Sequence, residues 1–369
     1  MKILYGHQRF SSQKYGGITR YFAELARRIS RNPCDEVDVF SPLYLTEYLD
    51  PSLIRPFGIL LPKGPGMSFA LKQLNSVFSS VYNRRRADVD IYHETYYSKQ
   101  ASGPRKARTI LTVFDMIHER FPSDFSKFDR TTTAKMAAVK RADHVICISK
   151  STQDDLISFF GIDRSKTSVI HLAGGISVSR PIMITPTPPR MQVVLFVGAR
   201  NGYKNFSRLL LAFSMSTLPA NGYRLLCFGG GDLTRRELEL CSSYGLQRGQ
   251  VTLANGSDDD LVNAYMHAEM LVYPSLYEGF GIPALEAMAL GCPVACSNTS
   301  SLPEVVGEAA ETFDPTDTGA IIQALESIAY DSPRSRQLKT LGIARASQFS
   351  WEHCAMQTRA LYSNISGAP

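Results

Sequence analysis

A chain of 369 residues with 44% hydrophobic and 20% charged side chains has the balance of a soluble globular protein and the length for two domains, each with its own core. Its longest apolar runs are far too short to span a bilayer, and none of its basic residues falls in a nucleic-acid-binding signature, so neither a membrane-spanning protein nor a nucleic-acid partner is expected. The net charge of +6 is uneven: residues 1–180 carry 27 Lys and Arg against 17 Asp and Glu, giving +10, and residues 181–369 carry 13 against 17, giving −4, so only the first half suits a polyanion or an anionic membrane surface.

The opening MKILYGHQRF brings polar and charged residues at once, unlike a secretion signal. KILYG reads as a first strand, and the polar loop HQRFSSQKYGG leads to ITRYFAELARRI, with apolar residues at 18, 21, 22, 25, 26 and 29 in helical period. Gly16 and Gly17 thus stand where a strand and loop open a helix, the edge at which α/β sheets bind ligands. Arg20 either adds a charge there or is a solvated helix residue. EVDVFS is a second strand. From Met67 to Arg86, MSFALKQLNSVFSSVYNRRR lays apolar residues along one broad face before three arginines. That pattern fits a core-facing helix with a charged end, and it also fits a helix lying on a membrane surface. TILTVF is a buried strand whose carboxyl end delivers Asp115 and His118, the latter also readable as a packed or helix-start histidine. HVICIS is a strand, STQDDLISFFG a helix capped by Ser149 or Ser151, and SVIHLAGG closes a first domain over residues 1–176.

Proline-dense sequence without helical period marks residues 177–190 as a linker. A second domain, residues 191–350, opens with QVVLFVGARNGYK: a strand ends at Gly198, and Arg200 and Lys204 follow ahead of a helix. Two cations there either form a diphosphate clamp that needs no metal or are surface charges of a connecting loop. Loop cations contribute little to stability, so their replacement is not expected to disturb folding. YRLLCFGGGD repeats strand-then-glycines, and VTLANGSDDDLVNAYMHAE gives a strand, a turn at Asn255 and Gly256, and a helix. In YPSLYEGFGIPALEAMALGCPVACSN a strand ends, Gly279 and Gly281 permit a tight turn, Pro283 suits the first helical position, Gly291 the position past the helix end, and Pro293 stops continuation. Glu278 in the turn and Glu286 in the first helical turn bracket this segment. A phosphate at the helix N-terminus, with a carboxylate on either side accepting from sugar hydroxyls, makes a nucleotide-sugar site; an acidic loop followed by a helix-start glutamate is the plain alternative. Residues 351–369 end the chain in an amphipathic helix. Seven cysteines, odd in number and without a C-x-x-C, suggest a reducing compartment.

The Glu-x7-Glu spacing inside EGFGIPALEAMALGCPV, with its Gly-Phe-Gly, Pro and Gly-Cys-Pro-Val in register, resembles the signature of GT-B retaining glycosyltransferases, in particular family 4. The resemblance implies an α/β protein of two Rossmann-like, doubly wound parallel-sheet domains facing a cleft. It implies sugar transfer from a nucleotide diphosphate to an acceptor hydroxyl with retention, usually without a metal. It carries Gly16 and Gly17 to the donor diphosphate, Arg200 and Lys204 to the leaving pyrophosphate beside Gly198, and Asn255 and Gly256 to the base. Glu278, Gly279, Phe280, Gly281, Ile282 and Glu286 line the nucleotide sugar, with Glu286 on the ribose and Glu278 on the donor sugar. The family's His-Asp segment matches imperfectly, because Phe114 stands where His often precedes Asp; His93, Asp115 and His118 are all candidates for the contact with donor sugar and acceptor. The final helix of such proteins crosses back to the first domain.

The expectation is therefore a catalytic set of Asp115, His118, Arg200, Lys204 and Glu278 in a metal-independent hexosyltransferase without a cofactor. Its donor is a GDP-, UDP- or dTDP-sugar, with GDP-mannose suggested by family likeness. The acceptor is a glycan or lipid-linked saccharide of a bacterial surface polysaccharide. The setting is cytoplasmic, including the inner face of the membrane through the basic half. Asp88-Val-Asp90 precedes a strand and Asp258-Asp-Asp260 opens a helix, so neither suits a metal. A nucleotide-sugar epimerase of similar architecture and a non-catalytic sugar-binding protein are the alternatives.

Overall fold

The computed structural model describes residues 1–11, 16–49, 55–61, 67–83, 86–174, 191–200 and 202–367. The linker read at 177–190, and Arg84 and Arg85, lie outside the described residues. The chain divides into two compact units, Met1–Leu172 with Ser350–Pro369, and Ala173–Phe349.

The first unit is built on a seven-stranded sheet. Its strands are β1 (Lys2–Tyr5), β2 (Glu36–Tyr44), β3 (Arg55–Leu60), β4 (Ile91–Glu94), β5 (Arg108–Val113), β6 (His144–Cys147) and β7 (Thr167–Val169). They pair in the order β3-β2-β1-β4-β5-β6-β7, every pairing parallel. The helices between them are α1 (Gly17–Ile29), α2 (Met67–Asn83), α3 (Ile117–Arg120), α4 (Thr131–Arg141) and α5 (Lys150–Phe160). Ser149, not Ser151, caps α5 through its hydroxyl, which accepts from the Thr152 amide.

The second unit has six strands: β8 (Val193–Val197), β9 (Arg224–Phe228), β10 (Val251–Ala254), β11 (Met270–Tyr273), β12 (Val294–Ser297) and β13 (Glu311–Phe313). Their order, β10-β9-β8-β11-β12-β13, repeats the inner pattern of the first sheet, again wholly parallel. Its helices are α6 (Phe206–Met215), α7 (Arg235–Ser243), α8 (Asp258–His267), α9 (Ile282–Ala289), α10 (Leu302–Val306), α11 (Thr318–Tyr330) and α12 (Ser332–Ala346). A parallel sheet covered on both faces needs strands apolar on both sides, and VVLFV in β8 is buried throughout. Val194 and Phe196 face a core with α6 and α11, while Val193, Leu195 and Val197 face one with α8, α9 and α10.

The last helix, α13 (Trp351–Ser366), packs on the first unit. Trp351 lies against Tyr21, Glu352 pairs with Arg28, and Arg359 with buried Asp35. Tyr362 reaches Tyr5 at 3.2 Å and a ring nitrogen of His93. All seven cysteines are free thiols, and no helix among the described residues is long and apolar enough to cross a membrane.

In both sheets the strand order reverses once, between β1 and β4 and between β8 and β11. Loops leaving the carboxyl ends of such a pair diverge to opposite faces and leave a crevice where α/β proteins bind ligands.

Candidate active site

In the second unit, the loop after β8 and the loop after β11 meet at the crevice. The Leu276 amide donates to the Tyr203 carbonyl at 2.8 Å, and Asn205 donates to the carbonyls of Pro274 (3.1 Å) and Pro315 (2.7 Å). Asn205 takes a left-handed backbone, φ 59°, at the N-cap of α6, a conformation that asparagine tolerates better than most residues. These ties bring Lys204 to Glu278: Nζ donates to Oε1 at 2.6 Å and lies 3.3 Å from the Tyr273 hydroxyl. The ammonium also sits 5.3 Å from the centroids of the Tyr203 and Tyr273 rings. Both members of the pair are largely buried. Two of the charges read from sequence, 74 residues apart, thus form one contact at the crevice.

Around Glu278 the turn is fixed from the following strand. Its amide donates to Ser300 Oγ at 2.9 Å, and the Ser301 hydroxyl bonds the carbonyls of Glu278 and Phe280. Gly281 has φ 114°, and a Cβ there would lie 2.7 Å from Leu302 Cδ2, so this position requires glycine on two counts. Ile282 then opens α9 with Pro283 in its first turn, and Gly291, φ 69°, follows its end. Because α9 begins at Ile282, Glu286 is its fifth residue and lies in the second turn, not the first as read from sequence. It is buried and accepts from the Tyr265 hydroxyl of α8 at 3.2 Å. Burial, then the nearby Glu286 carboxylate, hold the Tyr265 hydroxyl proton well beyond the ordinary phenol range.

Arg200 is placed differently from Lys204. Its side chain is almost wholly buried. Nε donates to Glu237 Oε1 at 2.8 Å, and its terminal nitrogens reach the carbonyls of Gly229, Gly231 and Asp232 at 3.2, 3.0 and 2.7 Å. Gly229, Gly230 and Gly231, the loop after β9, all have positive φ (83°, 77° and 73°). A Cβ on Gly230 would meet Arg200 Nη1 and the Gly198 carbonyl at 2.9 Å each. Gly198, φ 117°, turns the chain out of β8 beside them. Arg200 therefore ties this glycine loop to Glu237, itself part of the capping box of α7. After β10, Asn255 lines a largely apolar cavity of about 450 Å³ beside α8, and Gly256 packs on Asp260 too closely for a side chain. Asp260 caps α8 through Ser257, and Asp88 and Asp90 are bound to Lys2, so these carboxylates have structural partners.

In the first unit, Gly16 is the N-cap of α1, accepting from the Arg20 amide, and Gly17 its first residue. Arg20 lies over the Tyr48 ring. Asp115 follows β5 and caps the turn into α3, accepting from the Ile117 amide at 3.1 Å. Beneath it lies a residue the sequence did not single out: Lys135 of α4, fully buried, donates to the Asp115 carbonyl (2.8 Å) and to Glu119 (2.7 Å). His118 stacks on Phe125 at 3.8 Å. Its Nε2 is 3.6 Å from Asp129, and Nδ1 is buried with no hydrogen-bond partner among the described residues. His93 is fully enclosed, with one ring nitrogen on Thr112 Oγ1 at 2.9 Å and the other on Tyr362. Desolvation lowers its pKa to about 3, keeping the ring neutral. At the crevice itself, between β1 and β4, a pocket of about 310 Å³ is lined by His7, Gln8, Tyr96, Tyr97 and Lys99, with Ser76 of α2. Arg9 lies 4.6 Å over the Tyr96 ring. A sequence signal existed, since these residues follow two strands directly, but only the strand order shows that positions 7 and 96 adjoin.

Two doubly wound parallel sheets, each open at its reversal point, define the GT-B class of glycosyltransferase. Sequence profiles described as Glycosyltransferase Family 4 and Glycosyl transferases group 1 match residues 15–173 and 184–345, and the chain belongs to the family 4 glycosyltransferases. It is 28% identical over 365 residues to the O-antigen chain mannosyltransferase B of Escherichia coli, covering 94% of this chain and 95% of that one. It is 30% identical over 273 residues to the serotype-specific mannosyltransferase WbdA of Escherichia coli, covering 67% of this chain and 32% of that longer one. Among solved structures, the sucrose-phosphate synthase of Thermosynechococcus elongatus superposes with a TM-score of 0.74 at 21% identity, covering 100% and 99% of the two chains.

Proposed function

We propose that this glycosyltransferase moves mannose from GDP-mannose to a glycan or lipid-linked saccharide, with retention and without a metal, in the synthesis of a bacterial O-antigen or related surface polysaccharide. The observation that carries the reading is the Lys204–Glu278 contact at the reversal point of the second sheet, beside the amide end of α9. A leaving diphosphate needs positive charge where negative charge develops, and fixed groups supply it without reorganisation. Lys204 turns from Glu278 to the diphosphate when donor binds. Glu278 then accepts from donor-sugar hydroxyls, and Glu286 from the ribose. The glycine loop shaped by Arg200 offers amides to the same phosphates, so Arg200 acts through the loop it orders. Asn255 and Gly256 border the base. The two Escherichia coli mannosyltransferases to which the chain is similar favour mannose as the sugar and O-antigen as the product.

The bond from the anomeric carbon to the β-phosphate oxygen breaks, and the acceptor oxygen bonds that carbon from the same face. The acceptor proton passes to the departing phosphate, so GDP leaves and no protein nucleophile is needed. The pocket at the first sheet's crevice suits the acceptor: Tyr96 and Tyr97 form an aromatic wall for a sugar ring, and Lys99 and Gln100 bring polar groups for its hydroxyls. Asp115 and His118 stand at the neighbouring strand end.

The test is incubation with GDP-, UDP- and dTDP-sugars, following nucleotide release with and without a lipid-linked acceptor, and assigning the product anomer by NMR. Acceptor-dependent GDP release with an α-linked product is expected. Release from another donor alone, or an inverted product, overturns the reading. Excess EDTA is expected to leave the initial rate within about twofold, well short of the tenfold that ~1.4 kcal/mol produces; collapse rescued by Mg²⁺ or Mn²⁺ would refute metal independence.

A further inference from the structure

Helix α2 is amphipathic in the reverse sense to an ordinary surface helix. Among its described side chains the buried ones are Leu71, Asn75, Ser79 and Asn83, mostly polar. Each of those polar side chains bonds inward: Asn75 donates to the Leu43 carbonyl at 2.7 Å and accepts from its amide at 3.0 Å. Ser79 bonds His7 at 2.8 Å, and Asn83 donates to the Ser102 carbonyl at 2.9 Å. The outward face carries Leu74, Val77, Phe78, Val81 and Tyr82, all exposed. Beside it, the edge strand β3 exposes Phe57, Ile59 and Leu60. An apolar groove of about 480 Å³ joins the two surfaces. Phe40, Phe57 and Tyr82 stack nearly parallel, with centroids 4.7–5.3 Å apart, so a buried ring anchors two exposed ones. Eight large apolar side chains outward, and hydrogen-bonded polar ones inward, place the apolar medium outside the protein.

We infer that this face of α2 and β3 seats in the interfacial layer of an anionic lipid bilayer. Charge selects that occupant. From residue 51 to 86 the sequence holds six cations (Arg55, Lys63, Lys72, Arg84, Arg85 and Arg86) and no Asp or Glu. Arg86 is paired with Asp38 and Asp88. A second copy docking by the same face would bring two such stretches together, whereas anionic headgroups attract one. Apolar insertion and basic charge are the two signals that together give firm surface binding. A tyrosine at the rim suits the headgroup level, with its ring apolar and its hydroxyl wet.

Vesicle binding tests this without donor or acceptor, so it stands apart from the activity. Full-length protein is sedimented with vesicles of phosphatidylcholine alone and of phosphatidylcholine with phosphatidylglycerol. Binding to the mixed vesicles is expected, reduced but not abolished by salt. F78E with V81E lowers it by at least ~tenfold, since each charge must stay out of the acyl layer, while F78L with V81L stays within about twofold of wild type. Both positions are exposed, so the thermal midpoint of F78E/V81E is expected to match wild type. As a check needing no charge substitution, the indole fluorescence that Tyr82→Trp adds to that of the wild type is quenched by lipids brominated on the acyl chain. Equal binding by F78E/V81E, equal binding to both vesicle types, or no quenching of that added fluorescence overturns the inference. So does a wild-type dimer that F78E/V81E dissolves while vesicles go unbound.

Discussion

Lys204 and Glu278 neutralise each other in a nearly closed space, so removing one strands the other. Lys204→Ala is expected to lower turnover by about 10²–10³-fold and to lose up to about 3 kcal/mol of stability from the unpaired carboxylate. Lys204→Met with Glu278→Gln should recover most of that stability in urea unfolding and none of the turnover. If the double variant unfolds as early as either single one, the pair is not the unit described here. Arg200 corrects the expectation that loop cations matter little to folding. Its hydrogen bonds to Glu237 and the glycine loop make Arg200→Ala destabilising by roughly 1–3 kcal/mol, since the buried Glu237 carboxylate loses its partner and the loop its tie. Turnover and thermal midpoint should fall together in Arg200→Ala, whereas in Lys204→Ala turnover falls by far the more. His93 adds a pH dependence. Its folded pKa, about 3, lies below the ordinary 6.5, so the unfolded chain binds more protons between those values. Its contribution is complete above pH 6.5 and is lost as pH falls toward 3, at about 1.4 kcal/mol per unit. Desolvated His7, lowered to about 4, acts in the same direction. Unfolding titrations of His93→Gln should show a shallower acid limb; an unchanged slope would remove His93 from the account.

At the level of single elements, the turn into α9 is the most constrained. Gly281→Ala meets both a forbidden φ and the Leu302 methyl, and should cost about 1–3 kcal/mol and raise the donor KM; near-wild-type behaviour would show that the turn relaxes. This turn was also the most legible element in the sequence, because proline, glycine and the two glutamates act through neighbours a few residues away. Most strands were legible as continuous apolar runs, but β3 and β13, short edge strands, were not read from the sequence. Arg200 was legible as a charge but not as a tie, since its partners lie on the neighbouring strand's loop and only the pairing of β8 with β9 brings them near. Lys135 went unnoticed because nothing in TTAKMAAVKR shows that one lysine points beneath Asp115. The outward apolar face of α2 was undecidable from periodicity alone: period reveals that a helix has a stripe, not which side the fold covers. Asn75, Ser79 and Asn83 settle it by bonding inward. The pocket at β1 and β4 was missed because its walls are some ninety residues apart in the chain. Tyr96→Ala is expected to raise the acceptor KM by about tenfold with the donor KM unchanged, as loss of one aromatic wall of that pocket should. A shift in the donor constant instead would move Tyr96 to the other substrate.

At the scale of the whole molecule, α13 completes the first unit from the far end of the sequence. It supplies Tyr362 to His93 and Tyr5, and Arg359 to Asp35. Removing residues 350–369 should therefore unfold the first unit and spare the second, seen as loss of amide-exchange protection in residues 1–172 with retention in 191–349. Uniform loss, or none, would contradict this assignment of the helix. The arrangement also has a consequence for how the protein is made. Synthesis is vectorial, and domains generally form as their residues emerge. The unit that is begun first must wait for its final helix, while the whole of residues 173–349 emerges and becomes free to form its sheet. Throughout that interval the groove for α13 stands open on the ribosome, with Tyr21, Tyr5 and His93 beneath it. The nascent first half therefore keeps these aromatic groups uncovered until α13 has followed the second unit off the ribosome.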